Sequence, residues 1–93
     1  MEQATFEAAL SRDGFEIVRV TMKPDAVNPA HVHPFDARLL VVEGAMTIDR
    51  EGAPVRTYQT GETFDMPNGT RHSETAGAAG ATYVAGRRVP VKQ

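Results

Sequence analysis

The chain has 93 residues, of which 41% are hydrophobic and 24% charged, with a net charge of −2 and no cysteine. A chain this short buries only about 60–65% of the surface its unfolded form exposes, so it needs efficient closure, a metal or a second subunit. The absence of cysteine excludes disulfides and thiolate ligands, so a metal here is held by imidazole and oxygen. Acidic and basic residues are interspersed, and no basic stripe marks a nucleic-acid surface. The one basic cluster, Arg87-Arg88 with Lys92, reads as solvated charge on a last strand and tail. No apolar run approaches the 18 residues of a membrane span, and Met1-Glu2-Gln3 does not open a signal peptide. The expected location is the cytoplasm.

In chain order, Glu2 to Arg12 is the one helix candidate, with Phe6, Ala9 and Leu10 on one face and Gly14 as its stop. Phe15 to Met22 changes to a period of two and reads as a half-buried strand. Lys23-Pro24-Asp25 and Asn28-Pro29 read as two breaks. Arg38 to Glu43 is a buried strand, Glu43-Gly44 a hairpin turn with Glu43 solvated, and Ala45 to Arg50 the returning strand. Strands follow at Val55 to Gln59 and Glu62 to Met66, and Pro67-Asn68-Gly69 is a turn. Arg71 to Thr75 is a strand, Gly77 to Gly80 a flexible link, and Ala81 to Val89 a last strand closed by Pro90. One short helix and seven or eight short strands at regular spacing describe an all-β sandwich or barrel, with the helix over residues 1–14 and the barrel over 15–89 of a single domain, 1–93.

The chain has three histidines. His31 and His33 are one residue apart, so on an extended segment they share a face and supply half of a metal site. Phe35 and Ala37 continue that face; Asp36 and Arg38 point away unless a bulge at Pro34 reverses the parity and brings Asp36 in as a fourth ligand. Glu74 has the parity of His72 and is the nearest acid or base to it. Arg71, beside His72, is a candidate for binding an anion, but its parity sends it to the surface. Met22, Met46 and Met66 read as core, and Tyr58 and Tyr83 as packed strand aromatics.

These residues resemble the cupins, the RmlC-like superfamily of double-stranded β-helix (jelly-roll) barrels. The second cupin motif is matched by Gly61, then Pro67, Gly69 and His72 at the family's spacings, with Ala76 where asparagine is common. The first motif is matched by His31-Val32-His33 and Gly44. It departs at Asp25 or a neighbour, which replaces a glycine, and at Ala37 or Arg38, which stand where the family has a glutamate. The resemblance runs from about Val18 to Arg88 and implies a jelly-roll barrel, commonly a homodimer. It also implies a divalent transition metal (iron, manganese, nickel, zinc or copper) held by His31, His33 and His72. Without the motif glutamate the site resembles that of three-histidine, dioxygenase-like cupins. Two classes of function follow. One is a metal-dependent enzyme, a dioxygenase or another, acting on a small oxygenated or anionic substrate. The other is a non-catalytic module that binds a small ligand beside a structural or sensory metal.

Overall fold

The computed structural model describes residues 1–90. It contains one helix, α1 (Gln3–Arg12), and six strands: β1 (Glu16–Met22), β2 (Val27–His31), β3 (Asp36–Arg50), β4 (Arg56–Gln59), β5 (Thr63–Met66) and β6 (His72–Arg88). All pairings are antiparallel. Lys92 and the chain end lie outside the described residues.

Two long strands organise the sheet. β3 and β6 pair along their whole length, from Asp36 opposite Arg88 to Arg50 opposite His72. Each then carries two short partners. The Ala81–Arg87 part of β6 takes β1 and its His72–Thr75 end takes β2. The start of β3 takes β5, and its far half takes β4. Sharing one long strand between two sets of neighbours wraps the sheet into the expected jelly-roll.

The sequence reading divides both long strands, and the structure does not. Glu43-Gly44 is not a hairpin turn, and 77–80 is not a flexible link. At these points the ladder slips register and continues, as in a β-bulge. Gly44 at φ 73° and Gly80 at φ 82° take the backbone conformation that lets a strand bend sharply while keeping its partner. The two glycines face each other so closely that a Cβ on Gly44 would collide with the Gly80 carbonyl oxygen. Asn28-Pro29 is likewise inside β2 rather than a break between elements, and a register shift beside it spares the missing proline donor.

Helix α1 stops as expected: Gly14 takes φ 78°, and the Phe15 N–H donates back to the Leu10 carbonyl at 2.9 Å. Its buried residues Phe6 and Leu10 pack with Phe15, Leu40 and Val84 on the outside of the barrel. Gly86 makes room for Leu10, because a Cβ there would sit 2.5 Å from a Leu10 methyl carbon. The barrel interior holds Met22, Met46 and Met66 together with the stacked pair Tyr58 and Phe64, as their patterning implies. The Arg87-Arg88 pair is exposed as expected, but both side chains lie against aromatic rings. Arg88 donates to the Asp13 carbonyl and lies over Phe15, and Arg87 lies over Phe35.

Candidate metal centre

The three histidines of the chain and Glu74 come together at one end of the barrel, with one ligand atom from each within 4.8 Å of the others. His31 arrives at the end of β2, His33 just beyond it, and His72 and Glu74 on alternate residues of β6. The His31 and His33 rings are 4.5 Å apart, and the His72 ring is 4.5 Å from His31 and 5.2 Å from His33.

Local chemistry brings the two motifs together. His31 pairs across the ladder with His72. The Pro67-Asn68-Gly69 turn is tied to the segment after β2 by two bonds. Gly69 N–H donates to the His33 carbonyl at 3.0 Å, and Asn68 N–H donates to Asp36 Oδ1 at 2.9 Å. Asp36 is thereby committed to the turn and is not among the four donors, so the bulge at Pro34 that would turn it inward is not present. Phe35 and Ala37 do follow the face of His33, and all three line one cavity. Asp25, where the family pattern has glycine, takes a left-handed φ of 59°, so the backbone conformation is kept although the residue differs.

The orientation of the imidazoles favours a shared cation. His31 Nδ1–H donates to the Pro29 carbonyl at 2.7 Å, and His72 Nδ1–H donates to the Thr70 carbonyl at 3.0 Å. A carbonyl can only accept, so both rings carry a proton on Nδ1, and in their neutral form they present a bare Nε2 to the cluster. The His31 and His33 Nε2 atoms are 3.1 Å apart. Glu74 Oε1 lies 3.3 Å from His72 Nε2 and 3.6 Å from His31 Nε2. Lone pairs converging in this way repel unless a proton or a cation lies between them. Glu74 Oε2 is buried with no hydrogen-bond partner, an arrangement that costs free energy unless something absent from the protein chain satisfies it. The protonated form of His33 is disfavoured, first by burial and then by His31, His72 and Arg87. This donor set, imidazole nitrogen and carboxylate oxygen, fits a divalent transition metal.

No carboxylate stands at Ala37 or Arg38, but one comes to the cluster from another strand. Glu74 stands where it could supply the carboxylate, and its parity with His72 was the signal in the sequence. Arg71 is on the surface as expected, bordering a separate depression with Asp49 and Glu51. The cation beside the cluster is instead Arg87, which sequence reasoning passed over.

Two spaces meet at the cluster. An inner cavity of about 30 Å³ is walled mainly by Phe35, Leu39, Ile48, Phe64 and Met66 and reaches His33, His72 and Glu74. An outer groove of about 470 Å³ runs past Asn28, Pro29 and Ala30 to His31. His33, Glu74, Tyr83 and Arg87 border both. The Tyr83 phenol is pushed up to about 12, by burial first and by Glu74 second, with Arg87 opposing. It therefore stays a neutral hydrogen-bond donor at ordinary pH.

Residues 18–85 match the family model of the cupin domain. A curated relative, germin-like protein 3-7 of Oryza sativa subsp. japonica, is 38% identical over 69% of this chain, and the chain spans 30% of that protein's length. Among solved structures, KdgF from Halomonas sp. is similar at 27% identity with a TM-score of 0.67, over 78% of this chain and 68% of that one. An oxalate oxidase is similar at 27% identity with a TM-score of 0.73, over 82% of this chain and 42% of that one. With its motif histidines gathered at one end of a jelly-roll, and a family match that covers most of its length, the chain belongs to the cupins.

Proposed function

We propose that this cupin binds one divalent transition metal through His31, His33, His72 and Glu74, and that it is a metal-dependent enzyme for a small oxygenated or anionic substrate. The observation that carries the reading is the buried Glu74 carboxylate, whose Oε2 has no partner and whose Oε1 lies 3.3 Å from His72 Nε2. An ion bound there supplies Lewis-acid polarisation or, if it is iron or manganese, activation of oxygen. The carbonyls of Pro29 and Thr70 hold two imidazoles in the tautomer that can ligate. Phe35, Phe64 and Met66 keep the inner cavity apolar and limit the water beside the reacting group. Tyr83 offers a phenol proton to an oxygen of the substrate at the boundary of the two spaces.

Glu74 distinguishes this site from three neutral histidines. One carboxylate cancels part of the metal charge and still leaves the ion net positive, which suits an anionic or enolate-like ligand. The similarity to an oxalate oxidase supports an enzyme rather than a binding module, over a shared 82% of this chain. We propose that the protein is a homodimer, on the strength of its small size and of the outer edge of β1, which has no partner strand among the described residues. The test is oxygen uptake by iron-loaded protein across a panel of β-diketones, thiols and catechols. Uptake that disappears in His72→Ala supports a dioxygenase. No uptake, with tight binding of an anion at the loaded site, transfers the protein to the non-catalytic class.

A further inference from the structure

We infer that Arg87 is a carboxylate-binding residue at the mouth of the metal cluster, and that the ligand taken there is a small organic acid. This rests on the metal reading above and extends it to the class of ligand. Arg87 borders both the inner cavity and the outer groove, so a molecule passing from one to the other passes its guanidinium. The side chain is exposed but lies against an aromatic ring. Its guanidinium carbon lies 5.3 Å over the Phe35 ring, and Phe35 stacks on His33 at 4.6 Å and 18°. Phe35 thus holds an arginine fork and a ligand imidazole next to each other.

The charge balance around Arg87 points the same way. Arg38 and Arg56 each have a carboxylate partner, and Arg50 and Arg88 donate to oxygen acceptors. Among the described residues no carboxylate is within 4.0 Å of Arg87, although Glu16 stands opposite it across the β1–β6 ladder. A planar guanidinium beside an apolar ring, facing a cavity, is suited to a carboxylate, which it can grip with two parallel hydrogen bonds. Metal and Arg87 together exceed the single negative charge of Glu74, so the mouth selects anions over neutral isosteres. Size divides the ligand between the two spaces. The inner cavity of about 30 Å³ is much smaller than the outer groove of about 470 Å³, so the oxygen-bearing head reaches the cluster and the bulk lies in the groove against Val20, Pro29 and Ala30.

The experiment uses protein loaded with cobalt(II), with lactate and its neutral isostere lactamide as probes. Metal content, melting temperature and calorimetric Kd are measured for wild type, R87Q and R87K. Wild type should bind lactate in preference to lactamide. R87Q should keep its metal and its melting temperature, lose about tenfold in lactate affinity, and bind lactamide unchanged. R87K, which keeps the charge but not the fork, should fall between them. A loaded R87Q that binds lactate as well as wild type overturns the role of Arg87 and leaves the metal centre standing. So does a wild type that does not prefer lactate to lactamide. An R87Q that sheds its metal or melts early makes Arg87 a structural residue and also overturns the inference. A wild type that takes up no cobalt overturns the metal centre, and this inference with it.

Discussion

Glu74→Gln should move two properties of the protein in opposite directions. In the chain without metal, Glu74 is 6% exposed, its Oε2 has no partner, and its Oε1 faces two imidazole nitrogens at 3.3 and 3.6 Å. A buried polar atom left unsatisfied costs about 1–3 kcal/mol, and more when it is charged. The amide keeps the volume and removes the charge, and its NH₂ can donate to His72 Nε2. The metal-free variant should therefore be more stable by about 1 kcal/mol, which is roughly 4–8 °C in Tm for a domain of this size. Metal binding should suffer. Changing a group that only supports a ligand already lowers affinity by about 10–100-fold, and the loss of a direct carboxylate donor should reach at least the lower figure. The assay is thermal denaturation of chelator-stripped wild type and variant near pH 8, where unperturbed imidazoles are neutral. Zinc competition against a chromophoric chelator supplies the second reading. A stripped Glu74→Gln that melts below wild type, with unchanged zinc affinity, would refute the reasoning. Glu74 would then be a structural hydrogen-bonding residue.

Further predictions concern the frame and the pH dependence. Leu10 is 1% exposed under the helix, so Leu10→Ala should cost about 2–4 kcal/mol in denaturant unfolding and leave metal content unchanged, because α1 packs on the opposite side of the sheet from the site. Gly44 and Gly52 both have positive φ, but a Cβ meets the Gly80 carbonyl at the first and open space at the second. Gly44→Ala should therefore cost about 2–4 kcal/mol and Gly52→Ala about 1 kcal/mol, and equal losses would contradict the bulge packing. Tyr83 has its phenol raised from 10.0 to about 12 in the folded protein, so the unfolded chain gives up that proton first. Its contribution is complete below pH 10 and is lost as the pH rises toward 12, and Tyr83→Phe should flatten the alkaline fall in Tm.

Much of the site could be read from the sequence because its signals are local. A period of two placed His31, His33, Phe35 and Ala37 on one face, and the Pro67-Asn68-Gly69 turn placed His72 at a strand start. Glu74 was also visible by parity. Its partnership with His31 was not, since that depends on β2 lying beside β6. The long strands were misdivided at Gly44 and Gly80 because glycine marks a hairpin turn and a β-bulge alike. Only the cross-strand partner decides between them, and pairing across more than thirty residues leaves no local trace. Arg87 was missed for a similar reason. Alternation gives it the face of Tyr83 and Ala85, but an exposed charge at a strand end shows no link to the site until Phe35, from another element, is found beneath it.

The central claim is that four side chains from distant parts of the chain hold one metal ion. The most direct test is elemental analysis of the purified protein beside His31→Ala and His72→Ala, before and after incubation with iron, manganese, nickel or zinc. Copper and zinc bind such a site more tightly than iron does, so the identity of the metal found is secondary to its amount. The account predicts about one equivalent of transition metal in the wild type and its loss in both variants. A wild type that stays empty after incubation with every one of these ions would contradict it, and would leave the histidines as packing and hydrogen-bonding residues of a cupin barrel.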